Sequence, residues 1–85
     1  MFRIWAKVLN EGHIEKQFVY ESTKKFSYSD FFTYLSEICA ELDVPTPVLI
    51  KTHVFNYAKF NHVAFRPDDF IEEVPFDKLL LENIL

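Results

Sequence analysis

The chain opens on "FRIWAKVLN", where Phe2, Ile4, Ala6 and Val8 alternate with Arg3, Trp5 and Lys7. A period of two predicts a half-buried β-strand. "HIEKQFVYES" follows after a turn that holds the only glycine, so the first 22 residues predict a β-hairpin. Two registers are open. A two-residue loop at Glu11-Gly12 sets Val8 against Glu15 and Ile4 against Val19. A three-residue loop Asn10-Glu11-Gly12, with Gly12 left-handed, sets Val8 against Ile14, Ile4 against Phe18, Phe2 against Tyr20 and Lys7 against Glu15. The second gathers one apolar face and is the preferred expectation. It places Lys16 on that face beside Ala6, near the rim where its stem can snorkel.

The pattern then changes period. In "FSYSDFFTYLSEICAELDVP", Phe31, Leu35, Ile38 and Leu42, with Tyr34 and Cys39 alongside, recur at helical spacing. Ser27 reads as the N-cap, with Asp30 three residues on and a hydrophobic staple from Phe26 to Phe31. Pro45 and Pro47 end the helix, because Val44 before a proline is pushed out of the α region. "PVLIKTHVF" predicts a further strand. "HVFNYAKFN" fits either a short helix ending near Asn61 or an extended segment, and periodicity does not separate them. "VAF" predicts a short strand, and "PDDFIEEVP" has room for a turn or two of helix at most. "KLLLENIL" is apolar on both faces, which predicts an interior strand or one covered on both sides. The expected fold is α+β, a small two-layer sandwich forming a single domain over residues 1–85. It has an N-terminal hairpin and one main helix at about residues 28–43, packed on a mostly antiparallel sheet of four to five strands.

Composition narrows the class. A chain of 85 residues builds one core and buries roughly 60% of the unfolded chain's surface. With 49% hydrophobic and 26% charged residues it lies away from the disordered regime. Ten phenylalanines supply much apolar area from few residues, so most of the rings belong to the core. One cysteine, Cys39, makes no internal disulfide, and "MFRIWAK" lacks the apolar region of a signal peptide. No run reaches the ~18 apolar residues of a membrane helix. A cytoplasmic protein is expected, with no membrane partner.

Charge is unevenly spread. Residues 1–66 carry eight basic and seven acidic groups, whereas residues 67–85 carry one and six. Net acidity counts against general nucleic-acid affinity, which needs clustered Lys and Arg. The acidic block itself, Asp68, Asp69, Glu72, Glu73 and Asp77 with Glu82, has neither the glycine nor the spacing of a calcium loop. Asp69 as a helix cap with Glu72 three residues later accounts for two of the six. The rest read as solvated surface or as a protein-binding surface that imitates nucleic-acid phosphates.

Catalytic chemistry finds little footing. His13, His53 and His62 match no zinc spacing, and Cys39 falls on the apolar stripe, where cysteine behaves as a small hydrophobe. A single glycine excludes Walker and G-x-G-x-x-G loops. No cofactor, no metal and no enzymatic activity are expected. Arg3, Trp5 and Lys7 on the outer face of the first strand carry the residue types of a single-stranded nucleic-acid platform. They also suit a protein contact centred on Trp5, or internal cover by Val19 or by "HVFNYAKF". Among Phe55, Tyr57 and Phe60, one ring should be exposed and form an apolar patch, continuous with Trp5 if the two meet.

At "FRIWAKV", "EICAELDVPTPV" and "FRPDDFIEEVPFDKLLLE" the chain resembles small bacterial proteins, some carried near mobile elements, with a short hairpin, one helix and an acidic C-terminal block. The resemblance assigns no activity, catalytic residue or cofactor to any position. It implies a bacterial or phage cytoplasmic setting and favours an interaction protein over a stand-alone enzyme. The expected function is a small non-enzymatic protein-binding module, in its specific form an inhibitor whose acidic surface blocks the basic groove of a nuclease. The candidate contact residues are Trp5, Arg3, Lys7, Asp68, Asp69, Glu72, Glu73 and Asp77. The alternative is a small single-stranded nucleic-acid binder that uses the Arg-Trp-Lys strand face. The expected partner is another protein, and homodimerisation through a sheet edge or the Trp5 face stays open.

Overall fold

The computed structural model describes residues 1–84. Glu11 and Gly12 both take positive φ, 51° and 79°, and form the two-residue turn whose twist suits the strands it joins. Strands β1 (Phe2–Asn10) and β2 (His13–Ser22) leave that turn with Asn10 facing His13 and Leu9 facing Ile14. The register then slips by one: Glu15 is an extra residue in β2, and Val8 faces Lys16, Ala6 faces Phe18, Trp5 faces Val19 and Ile4 faces Tyr20. Neither register expected from the sequence is the one found. The tight turn fixes the pairing beside it, which alone would send Gln17 and Val19 into the core. The bulge returns Phe18 and Tyr20 to the core face. Lys16 shares that face opposite Val8 and reaches the rim, where Nζ donates to the Leu42 carbonyl at 2.9 Å.

Helix α1 (Phe31–Leu42) follows a single 3₁₀ turn at Tyr28–Asp30, so the expected helix start splits into two pieces. Ser27 precedes the turn with an extended backbone, but its side chain caps nothing; its Oγ pairs instead with Ser29 Oγ at 2.8 Å. The apolar stripe behaves as its spacing requires: Phe31, Tyr34, Leu35, Ile38, Cys39 and Leu42 are all buried. The helix ends before either proline acts. Asp43 turns left-handed at φ 56°, and Val44 donates its N–H to the Cys39 carbonyl at 3.0 Å.

The segment "PVLIKTHVF" is not a strand. Val48–Ile50 join no ladder, and helix α2 (Lys51–Phe60) takes up the rest. His53 and Tyr57, four residues apart, are its buried face, and a strand would have set the exposed Phe55 on that same side. Asn61, left-handed at φ 63°, closes the helix and leads into β3 (His62–Phe65). Strand β4 (Lys78–Asn83) completes a four-stranded antiparallel sheet in the order β2-β1-β4-β3. The "KLLLEN" strand therefore lies inside the sheet, as its two-faced apolar pattern predicts.

Both helices cover one face. Ile4, Ala6, Val8, Leu79, Leu81, Val63 and Phe65 point from the sheet into the core, where Tyr57 of α2 meets Phe31 of α1 at 5.1 Å between ring centroids and His53 meets Phe65 at 4.5 Å. The result is the two-layer α+β sandwich expected, with four strands and a second helix in place of a fifth strand.

Candidate functional site

Alternation along β1 puts Arg3, Trp5 and Lys7 on the sheet face opposite the helices. Trp5 is half-buried; Val19 stands across the strand pair, and the indole Nε1 donates to Gln17 Oε1 at 3.0 Å. Lys7 lies over the ring with Nζ 3.8 Å from its centroid, and the same ammonium reaches Glu82 Oε1 at 2.9 Å. Lys7 thus pairs with Glu82 of β4 and not with Glu15, because the bulge removes Glu15 from its ladder position and β4 brings Glu82 beside Trp5. Internal contacts occupy two of the three residues of this platform, and Arg3 stays exposed.

The acidic block divides. Asp69 lies at the end of a 3₁₀ turn, Pro67–Asp69, and accepts the Arg66 backbone N–H on Oδ2 at 2.8 Å. It caps that turn from its third residue, so Glu72 takes no part in the cap. The same residue fastens the turn to the start of α2: its carbonyl accepts the Val48 N–H at 2.8 Å, and Oδ1 lies 3.5 Å from His53 Nε2. Asp77 accepts the Glu11 N–H on Oδ2 at 2.7 Å and donates its own N–H to the Leu9 carbonyl at 2.9 Å, holding the hairpin turn. With Glu82 on Lys7, three of the six carboxylates are used inside the fold.

Asp68, Glu72 and Glu73 are exposed and make no hydrogen bond or ion pair among the described residues. They bracket Ile71, which is 91% exposed. On either side Phe70 and Phe76 are buried and meet edge to face at 5.4 Å, so the projecting segment is pinned at both ends. Periodicity gives no sign of Ile71, since the segment is neither helix nor strand; its one sequence signal is a branched apolar residue standing among acids.

On the helical layer Tyr28, Leu49, Ile50, Val54, Phe55 and Ala58 line an open apolar groove of about 430 Å³. Phe55 is 70% exposed, Phe60 is exposed and Tyr57 is buried. This patch and Trp5 occupy opposite faces of the molecule, so they do not merge.

The titratable groups stay scattered. Cys39 is buried, and desolvation pushes its thiol up to about 11 against a hydrogen bond from Thr46. His53 is buried at the start of α2, while His13 and His62 are exposed. No three His, Cys, Asp or Glu side chains converge on a metal position among the described residues, and none of their helices is long and apolar enough to cross a membrane. No family model, curated protein or solved structure matches the chain, and its chemistry rests on this geometry.

Proposed function

We propose that the chain is a small non-enzymatic protein-binding module that inhibits by setting an acidic surface into a basic groove, such as that of a nuclease. The observation that carries this reading is the pinned segment in which Asp68, Glu72 and Glu73 surround the exposed Ile71. An apolar anchor ringed by free carboxylates is complementary to an apolar pocket rimmed by Lys and Arg. Burial of Phe70 and Phe76 holds the segment in place before contact, so little ordering entropy opposes binding. The apolar groove beside α2 adjoins the loop Val48–Ile50, to which the segment is hydrogen-bonded, and extends the available contact.

The test is affinity capture from host lysate with the wild-type chain and with the triple variant D68K/E72K/E73K, washed at low and high salt. A stoichiometric protein should be retained at low salt, released at high salt, displaced by a polyanion and lost with the triple variant. Retention that ignores salt and all three charges would sink the acidic-surface reading and move the contact to Trp5 or Phe55.

A further inference from the structure

Strand β3 ends the sheet, so one of its long sides has no neighbouring strand. The phase of its ladder decides which groups are left over. Asn83 donates its N–H to the Asn61 carbonyl at 2.8 Å, in step with the pairs Val63–Leu81 and Phe65–Leu79. Alternate residues of an antiparallel ladder exchange both of their bonds, so Val63 and Phe65 face β4, while the N–H and C=O of His62 and Ala64 point away from it. These four groups have no partner among the described residues. The open run closes at Arg66, whose N–H donates to Asp69 Oδ2 at 2.8 Å and whose carbonyl accepts the Asp69 N–H at 2.9 Å.

The opposite edge of the sheet is defended and this one is not. β2 carries the bulge at Glu15 and the charges of Lys16 and Glu21, devices that discourage a further strand. Within His62–Phe65 there is no carboxylate, lysine, proline or bulge. A cleft of about 260 Å³ opens beside these residues, lined by His62, Val63, Ala64 and Arg66 and walled by Asn56 and Phe60 of α2. Phe60 is 52% exposed, and the half-buried Asn56 carboxamide makes no hydrogen bond among the described residues. An unpaired edge beside a helix is a setting in which an extended chain adds to a sheet.

Charge and length select the occupant. Lys59 and Arg66, at the two ends of the cleft, are exposed and enter no ion pair among the described residues. Two-fold pairing of β3 with a second copy would be antiparallel and would set Arg66 of each chain toward the Lys59 end of the other, cation against cation. Four residues at ~3.3 Å each also reach only about 13 Å, short of the ~800 Å² per partner that a stable dimer buries. We propose that β3 takes up a short, extended acidic peptide of a partner protein as a fifth strand. Two of its residues exchange main-chain hydrogen bonds with His62 and Ala64 and set their side chains on the outer face of the sheet. The residues between them turn toward the helical layer and pack on Phe60, and a carboxylate at each end meets Arg66 or Lys59. The site uses none of Asp68, Ile71, Glu72 and Glu73 and does not depend on the inhibitor reading.

The probe is the hexapeptide Glu-Val-Thr-Val-Thr-Glu, acetylated and amidated, titrated into the full chain by amide NMR. The His62 and Ala64 amides should shift saturably, and their hydrogen exchange should slow. Backbone N-methylation at both threonines, whose amides face β3, should weaken binding at least about tenfold, while N-methylation at both valines, whose amides face solvent, should leave it in place. Replacing both glutamates of the peptide with glutamine should weaken it about threefold, and Arg66→Gln should narrow that difference. Ala64→Pro removes an outward N–H and no β4 bond, as proline is admitted on edge strands, and should abolish binding. The methylated pair decides on the wild-type chain, whatever Ala64→Pro does to the fold. Absence of saturable shifts up to about 1 mM peptide overturns the proposal. So does equal binding of the two methylated peptides. Shifts of His62 and Ala64 that follow protein concentration without peptide, together with a dimer in sedimentation, would give the edge to a second copy and overturn it as well.

Discussion

His53 accepts the backbone N–H of Ile50 on Nδ1 at 3.1 Å, and the same ring presents Nε2 to Asp69 Oδ1 at 3.5 Å. Helix α2 therefore starts without a Ser, Thr or Asp cap: its third residue reaches back to the residue before the helix, half of a capping box. Since Nδ1 is the acceptor, the neutral ring carries its proton on Nε2, toward the carboxylate. His53→Phe keeps the ring packed on Phe65 and deletes both polar contacts. It should destabilise the domain by about 1–2 kcal/mol in urea titration. Faster hydrogen exchange at the Ile50 amide, with the α1 amides unchanged, would locate the loss at this cap.

Glu11 holds φ at 51° on an exposed turn, a conformation that an ordinary side chain adopts at a cost and asparagine adopts readily. Its backbone N–H is already held by Asp77, which a side-chain change leaves in place. Glu11→Asn should stabilise the protein by about 0.5–1 kcal/mol, read as a higher urea midpoint at unchanged slope. A variant less stable than the wild type would show that the Glu11 side chain has a role that the turn geometry does not require.

The elements whose burial follows one period were legible in the sequence. The α1 stripe, the inward row of β1 and the two-faced Leu79–Leu81 run all lie where spacing puts them. The hairpin register was not, because it depends on a bulge at Glu15 that compensates a turn conformation no periodicity encodes. "PVLIKTHVF" misleads for a different reason: β-branched residues favour a strand locally, but the His53–Ile50 cap starts a helix instead, and β3 stays at the sheet edge. At the surface, the acids were visible as a block. Their division into three internal ligands and three free charges needed the long-range contacts from Asp77 to Glu11 and from Glu82 to Lys7.

Alkaline pH should weaken the fold in a defined window. Desolvation raises Cys39 from 9.0 to about 11, and it raises Tyr20 from 10.0 to about 12, helped by the hydrogen bond that Tyr20 donates to Glu37 at 2.5 Å. Both groups hold their protons more tightly folded than unfolded, so the unfolded chain ionises first. Their contribution is complete below about pH 9 and is lost as pH rises through the two folded values. The urea midpoint should be flat from neutrality to about pH 9 and fall above it, and Tyr20→Phe should flatten the upper part of that fall.

The ammonium of Lys7 is held between Glu82 and the Trp5 ring, with only 12% of the side chain exposed. A phosphate would have to break that pair with Glu82 before Lys7 could serve it, and Glu82 itself repels the backbone. Single-stranded oligonucleotide should therefore leave Trp5 fluorescence unchanged, a direct reading since the chain has one tryptophan. Quenching that saturates and weakens with salt would reinstate the sheet face as a nucleic-acid platform. Glu82→Gln should lower stability by about 1 kcal/mol at low salt and by less at high salt.

The carboxylates of the C-terminal block should separate under charge reversal. Asp69→Lys removes the acceptor for the Arg66 N–H, leaves His53 Nε2 without its carboxylate and sets a cation against the start of α2. A loss of about 2 kcal/mol or more is expected, since a half-buried hydrogen-bonding group is replaced by one of opposite sign. Asp68→Lys, Glu72→Lys and Glu73→Lys change solvated side chains with no internal partner, and each should stay within about 0.5 kcal/mol of the wild type. Stability measured across the four variants then tells whether a lost partner in the capture experiment reflects the contact surface or the fold. If Glu72→Lys or Glu73→Lys costs as much stability as Asp69→Lys, the projecting segment is structural, and a binding role for its free charges loses its support.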